Sequence, residues 1–408
     1  MLWLYNIAIQ LYGLIIRLFA PFNSKASFFL KGRRNIFVKI EKKIDSTIPH
    51  IWFHFASLGE FEQGRPVLEK LKEQYPDKKI IVTFFSPSGY EIRKNYALAE
   101  AVFYLPLDTA SNAERLVAAF NPELAIFTKY EYWYHYFKAL HNKNIPLLII
   151  SGIFRPNQIF FKSYGSFHRK ILSYVSQFFV QNEESIQLLK TINIQNATLS
   201  GDTRFDRVAE NAASPKKLSI IERFCGDAPV FIAGSTWPED ERLIALLCAS
   251  NPEWKFIIAP HEIGVHHINE IEGLFPQAIK YSTFATEEAS SEHQILIIDN
   301  IGMLSSLYAY GKIAYIGGGF GVGIHNTLEA AAFGIPVIFG PKYDKFQEAK
   351  DLIQIGVAQS INNIAELNIA FTTLTTNGNQ GDIAKNYVTS KTGSTDQILQ
   401  YLSQYLKP

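Results

Sequence analysis

From residue 50 onward the chain alternates short apolar runs with longer amphipathic stretches. The runs IWFHFA (51–56), KIIVTF (79–84), VFYL (102–105), LAIFT (124–128), PLLIIS (146–151), QFFVQ (177–181) and ATLS (197–200) predict strands separated by helices. They are apolar throughout rather than alternating, the pattern of strands covered by helices on both faces, so a parallel sheet is expected. A second series follows: PVFIAG (229–234), KFIIAP (255–260), AIKY (278–281), ILIID (295–299), KIAYIG (312–317) and PVIFG (336–340). The fold class is therefore α/β, with two Rossmann-like doubly wound domains over 23–208 and 220–385. The small, polar stretch AENAASPKKLS, residues 209–219, is expected to link them. A terminal helix over 386–408 is expected to pack back on the first domain. Open α/β sheets bind ligands beyond the carboxyl ends of their strands, so two of them facing each other predict a cleft. The chemistry is to be sought in residues just after strands.

The first twenty residues break this rhythm. Only Asn6, Gln10, Gly13 and Arg17 among them are not hydrophobic, at spacings of four, three and four. On a helix these positions fall in a stripe roughly 60° wide, leaving the remaining surface apolar. Pro21 ends the helix. No basic residues precede the run and no small-residue cleavage site follows it, which argues against a secretory signal. A membrane-associated helix over 1–22, lying in the interface, is expected, with a single span or a buried helix docked on the domain as the alternatives. Lys25, Lys31, Arg33, Arg34, Lys39, Lys42 and Lys43 follow, a cluster suited to anionic headgroups on the cytoplasmic side.

Charge narrows the partners. Lys+Arg 39 against Asp+Glu 38 gives a net charge of +1 over 408 residues, which removes a global electrostatic case for nucleic acid. Hydrophobic residues at 47% exclude an extended disordered chain. Cys225 and Cys248 do not have a metal-site spacing and fit a reducing compartment.

The strand ends carry polar chemistry. Ser57-Leu58-Gly59-Glu60 follows the first run, and at the mouth of that strand Glu60 stands in a general-base position, although a first-turn glutamate also complements a helix dipole. Glu131 lies among Tyr130, Tyr132 and Trp133, where partial burial would raise its proton affinity. In the second domain Ser235 and Thr236 follow PVFIAG, and KIAYIG runs into Gly317-Gly318-Gly319-Phe320-Gly321-Val322-Gly323, then Asn326-Thr327-Leu328-Glu329 and a helix. A glycine turn opening onto a helix leaves backbone amides for a phosphate. Asn326 or Thr327 caps that helix, and Glu329 is placed to accept bonds from ribose hydroxyls. The pattern is not G-x-G-x-x-G, so a dinucleotide site is not expected. His261-Glu262 with His266 and His267 lacks zincin spacing, and Glu239-Asp240-Glu241 after Pro238 reads as an acidic helix start; no metal site is expected.

H-F-A-S-L-G-E at 54–60, Y-E-Y-W at 130–133, Q-N-E-E at 181–184, G-D-T-R-F-D at 201–206, G-S-T at 234–236, I-G-M at 301–303 and H-N-T-L-E-A-A-A at 325–332 occur in the order found in 3-deoxy-D-manno-octulosonic acid (Kdo) transferases. The chain resembles that family over nearly its whole length. The resemblance implies a GT-B glycosyltransferase that inverts the anomeric carbon without a metal. It implies transfer of Kdo from CMP-Kdo to the lipid A precursor, lipid IVA, on the cytoplasmic face of the bacterial inner membrane. By the same resemblance Glu60 is the base, and Glu131 and Arg204 stabilise the transition state. Ser235, Thr236, Pro260, His261, Ile301, Gly302, Met303, Gly318, Gly319 and Asn326 to Glu329 line the CMP site. Three positions depart from the family pattern: His261 stands where arginine is usual, Arg204 where lysine is, and Thr327 where proline is common. A GT-B enzyme using a UDP-sugar, or a sugar-nucleotide 2-epimerase, shares the fold but needs neither the H-x-x-S-x-G-E strand end nor the amino-terminal helix.

Overall fold

A computed structural model describes residues 1–286, 292–376 and 378–406. It divides into two compact units, Met1–Asp206 together with the chain from Thr392 onward, and Arg207–Lys391.

Three helices open the first unit: α1 (Leu2–Phe19), α2 (Ser24–Arg33) and α3 (Ile36–Lys43). Asn23 caps α2 by accepting the Ala26 amide at 3.0 Å. The sheet follows, with β1 (His50–Phe55), β2 (Lys79–Phe84), β3 (Ala101–Tyr104), β4 (Pro122–Thr128), β5 (Leu147–Gly152), β6 (Gln177–Val180) and β7 (Ala197–Leu199). All are parallel, in the order β3-β2-β1-β4-β5-β6-β7, so the winding reverses between β1 and β4. Every residue of β1 is buried, because its two faces feed two cores. Trp52, Phe103, Phe127 and Phe137 pack on one side. On the other, Phe53, Phe55 and Phe84 meet Phe61 of α4 (Leu58–Gln74) and Ile398, Leu399 and Leu402 of the helix Ser394–Leu402. That last helix is held at its start by Asp206, which accepts the Gly393 amide at 2.6 Å, the Thr395 amide at 2.7 Å and the Thr395 hydroxyl at 2.6 Å.

Only part of the polar stripe of α1 faces the protein: Asn6 is half-buried and Gly13 buried, whereas Gln10 and Arg17 are exposed. The Tyr5 hydroxyl donates to Asp108, Asn6 Oδ1 accepts from His135 at 2.7 Å, and buried Gly13 packs on Leu107. A Cβ at Gly13 would lie 2.8 Å from the Leu107 methyl, so glycine permits the close approach. The apolar surface is left bare, with Leu11 50%, Leu14 49%, Leu18 64% and Phe19 60% exposed. The helix is long and apolar enough to cross a membrane, yet only 6% of it is buried in the protein.

One residue of the basic segment behaves differently from the expectation. Arg33 is not a free headgroup cation. Its guanidinium donates to the backbone oxygens of Leu105 (2.8 Å), Phe85 (2.6 Å) and Phe29 (3.2 Å) and lies 3.4 Å over the Phe29 ring. Burial pushes its pKa down to about 9, opposed by Tyr104, Tyr136 and Tyr12, and it remains charged near neutrality. Lys25, Lys31, Arg34, Lys39, Lys42 and Lys43 are exposed.

The second unit holds β8 (Val230–Thr236), β9 (Lys255–Pro260), β10 (Ile279–Lys280), β11 (Ile295–Ile297), β12 (Ile313–Ile316), β13 (Val337–Phe339) and β14 (Ala358–Ser360). These too are parallel, ordered β10-β11-β9-β8-β12-β13-β14, with the reversal between β8 and β12. Phe231, Ile244, Phe256, Ile258, Tyr315 and Phe371 centre its core. The helices Arg204–Ala213 and Ser219–Cys225 enter the 209–219 segment from both ends, because Ala209, Glu210, Ala212 and Ala213 favour continued helix over an open linker. The segment 386–408 is likewise not one helix. Gln380–Ser390 ends within the second unit, Gly393 turns at a φ of 105°, and Ser394–Leu402 belongs to the first; residues 407–408 lie outside the described residues.

Candidate active site

In the first unit the reversal point between β1 and β4 gathers the residues singled out by sequence. Ala56 to Glu60 leave β1 and start α4, and Lys129 to Trp133 leave β4. This is where a doubly wound sheet leaves a crevice, since the neighbouring connections depart to opposite faces. Glu60, half-buried in the first turn of α4, accepts the Ala56 amide at 2.6 Å. Burial and the charge of Glu131 raise its pKa to about 7, against the opposing pull of the Ala56 amide and Lys129. A carboxyl poised there accepts and returns a proton near neutral pH.

Glu131 is fixed by two donors on one oxygen, Trp133 Nε1 at 2.9 Å and His54 Nε2 at 3.1 Å. His54 is fully buried on β1, and its Nδ1 lies 2.8 Å from the Thr83 hydroxyl, which accepts the Trp52 indole N–H at 2.8 Å. The ring nitrogen facing a carboxylate must carry the proton, so the network assigns Nε2–H and leaves Nδ1 to accept from Thr83. The chain Trp52, Thr83, His54, Glu131 thus runs in one donor direction. His54 is a functional candidate that motif reading quoted but assigned no role.

Arg204 pairs with buried Asp202, Nε at 2.9 Å and Nη2 at 2.8 Å from the same oxygen. Burial alone would raise the Asp202 carboxyl, but the charge and hydrogen bonds of Arg204, with Lys129, hold it below its usual range. Gln63 of α4 adds a contact to Asp202 at 3.3 Å. Lys129 was also unassigned from sequence; it sits at a φ of 59°, a left-handed backbone uncommon for lysine, and its charge acts on both Glu60 and Asp202.

The second unit repeats the arrangement at the reversal between β8 and β12. Ser235, at a φ of 54°, is the last residue but one of β8; Pro260 ends β9 and precedes exposed His261; Gly318 and Gly319 follow β12. The His261 ring stacks on Trp237 at 4.9 Å and on His325 at 4.4 Å, a flat aromatic platform. Burial and the neighbouring His261 push His325 down to about 4, so it stays neutral at physiological pH. Ile301 to Met303 form the turn before the helix Leu304–Leu307, with Gly302 at a φ of 97° and Ile301 85% exposed. Asn326 accepts the Leu328 amide at 3.1 Å and donates to Glu329 at 3.1 Å.

Three expectations here need correction. The glycine turn is not a row of open amides: Gly317 donates to Gly234 at 2.9 Å, Gly318 to Asp240 at 2.9 Å, and Gly321 and Gly323 to Gly318 at 3.0 and 3.2 Å. Its glycines serve backbone packing, since a Cβ on Gly317 would lie 2.2 Å from the Ser235 oxygen. The Thr236 hydroxyl is buried and spent on Glu241 at 2.9 Å, which also holds His267 at 3.0 Å. Leu328 and Thr327 are fully buried, so their side chains belong to packing; Asn326 rather than Thr327 caps the helix Leu328–Ala332. Asp240, read as part of an acidic helix start, does hold the helix Pro238–Ala249 by accepting the Trp237 amide at 2.9 Å.

The fold is GT-B-like. A putative UDP-N-acetylglucosamine 2-epimerase from Listeria monocytogenes superimposes with a TM-score of 0.58 at 13% identity, covering 87% of this chain and 96% of that one. The UDP-GlcNAc 2-epimerase of Neisseria meningitidis gives 0.58 at 15% identity, covering 87% and 100%. Likeness at such identities establishes the fold alone. Sequence separates the chain from those enzymes. Residues 30–207 match the family model described as 3-deoxy-D-manno-octulosonic-acid transferase (kdotransferase). The 3-deoxy-D-manno-octulosonic acid transferase of Chlamydophila psittaci is 28% identical over 335 residues, 77% of this chain and 75% of the relative. That of Aquifex aeolicus is 28% identical over 322 residues, 78% and 83%. That of Rickettsia prowazekii is 25% identical over 405 residues, 94% and 86%. With the H-x-x-S-x-G-E strand end and Glu131 assembled at one reversal point, and these relatives aligned along most of its length, the chain is similar to the 3-deoxy-D-manno-octulosonic acid transferases.

Proposed function

We propose that the chain transfers Kdo from CMP-Kdo to the lipid A precursor, with inversion, at the cytoplasmic face of the bacterial inner membrane. The observation that carries the reading is Glu60, a carboxyl raised to about 7 beside Glu131 at the strand ends of the first unit. Glu60 takes the proton from the acceptor hydroxyl as that oxygen attacks the anomeric carbon of Kdo, and CMP leaves from the opposite face. Positive charge growing at the anomeric carbon is met by Glu131, already oriented by His54 and Trp133. Arg204, held by Asp202, supports the anionic groups of donor or leaving nucleotide. Ser235, Pro260, His261, Gly318, Gly319, Ile301 to Met303, Asn326 and Glu329 hold CMP, with the His261 ring offered as a stacking surface. The bare side of α1 and the exposed lysines and Arg34 after it keep the enzyme at the lipid surface.

The test is incubation of the purified chain with CMP-Kdo and a lipid A precursor, followed by mass measurement of the product. Addition of Kdo residues supports the reading; transfer from a UDP-sugar instead, or epimerisation without transfer, refutes it. Among the described residues no three His, Cys, Asp or Glu side chains converge as ligands, and the donor carries one phosphate. Turnover is therefore expected to persist in excess EDTA, and a rate that collapses and returns with Mg²⁺ would reject the metal-free mechanism.

His54 gives a further check. His54→Ala removes one of the two donors that orient Glu131, and a loss of about 10–100-fold in kcat is expected from a misplaced charged group, with the KM for CMP-Kdo little changed. His54→Gln retains an N–H donor and should recover part of that loss. Equal losses in both variants would assign His54 to packing.

A further inference from the structure

We propose that the groove between α1 and α2 receives one acyl chain of the acceptor lipid and so positions the acceptor sugar at Glu60 and Glu131; the proposal rests on the lipid-acceptor reading above. The groove has a volume of 380 Å³ and is walled by Tyr12, Ile15, Ile16, Phe19, Phe29 and Phe85. Among the described residues Lys25 is the only charged side chain lining it. Its outer wall continues into the uncovered side of α1, where Ile15 is 50% and Phe19 60% exposed. A chain drawn from a bilayer therefore meets a mostly apolar surface, interrupted only by Asn23, Lys25 and Ser86 among its lining residues.

The inner end explains why the occupant belongs to the acceptor rather than to any bulk lipid. Phe85 packs against the Trp133 ring at 4.9 Å, and Trp133 holds Glu131. The next amide, Ser86, donates to the Ala56 oxygen at 2.8 Å, and the Ala56 amide holds Glu60. The floor of the groove thus packs on the segment that carries Glu131 and is hydrogen-bonded to the one that carries Glu60. Arg33 pins that floor through the Phe85 oxygen at 2.6 Å, so the wall is set before the lipid arrives. A larger groove of 640 Å³ opens beside Gly13 and Arg17, but Phe85, the residue that reaches Trp133, does not line it. It lacks the connection that links chain binding to the reacting hydroxyl.

Two substitutions that fill the groove test this: Ala26→Phe on its α2 wall and Ile16→Trp on its α1 wall, either sufficing should the other fail to fold. Transfer is measured to an acylated lipid A precursor in detergent and to the same phosphorylated disaccharide stripped of its acyl chains. Each variant is expected to lower kcat/KM for the acylated acceptor relative to the deacylated one by about tenfold or more, the effect of roughly two methylenes losing their burial. An unchanged ratio, whether both activities fall or neither does, overturns the groove. A wild-type chain that transfers Kdo to neither acceptor overturns the lipid-acceptor reading and the groove with it.

Discussion

Glu60→Gln is expected to lower transfer by about 10²–10⁴-fold, the usual worth of a general base, while leaving CMP binding nearly intact, because the residues assigned to CMP belong to the second unit. Two pH effects should accompany it. The wild-type rate should climb as pH rises through about 7, as Glu60 gives up its proton, and that limb should vanish in the variant. Stability moves the other way. The folded-state pKa of about 7 exceeds the ordinary 4.5, so the contribution of Glu60 to stability is fullest below 4.5 and declines as pH rises to 7. The decline amounts to at most about 3.5 kcal/mol, at about 1.4 kcal/mol per unit. Glu60→Gln removes it, less whatever the charged bond to the Ala56 amide contributed. A variant that melts higher than wild type at pH 8 but not at pH 4.5, and is nearly inactive, is the expected signature. Activity within tenfold of wild type would remove Glu60 from the role.

The second large effect concerns α1. Aspartates replacing Leu11, Leu14 and Leu18 together are expected to leave a folded chain, since these side chains are 50%, 49% and 64% exposed and touch little of the protein. Burial of a leucine side chain is worth about 1.5–3 kcal/mol, so losing three should weaken partitioning into vesicles by about a hundredfold or more. Transfer to vesicle-borne acceptor should fall with it, and transfer to detergent-dispersed acceptor should stay within a few fold. Flotation with vesicles and the two assays decide; unaltered flotation would mean that another surface holds the membrane. Deleting residues 1–22 is a harsher experiment, because it also strips Tyr5 from Asp108 and uncovers Leu107.

The central strands, β1, β4, β5, β8 and β9, were legible because they are buried on both faces and long enough to read as unbroken apolar runs. β14, residues Ala358–Ser360, was not, since a three-residue edge strand ending in Gln359 and Ser360 has no such run. Glu60 and Glu131 could be found by their position after strands, a local property. His54 could not be given a role locally, because its meaning comes from Thr83 on β2 and from Glu131, 77 residues away. Arg33 reads as one more surface cation until Phe29, Tyr104 and the Phe85 oxygen are seen around it. The glycine turn misled for a related reason: glycine permits approach equally to a phosphate or to a neighbouring strand, and here Gly319 lies against Gly340.

The closing helix sets an order of events during synthesis. The second unit is contiguous from Arg207 to Lys391, so a nascent chain holds everything it needs once that stretch has left the ribosome. The first unit, although it begins earlier, lacks Ile398, Leu399 and Leu402, and without them the core around Phe53 and Phe55 keeps α4 but loses the rest of its cover. The earlier-born domain is therefore the later to be finished. A premature stop just before Thr392 would release a chain whose second domain is complete and whose first domain shows the apolar patch left by Ile398, Leu399 and Leu402 to chaperones and proteases.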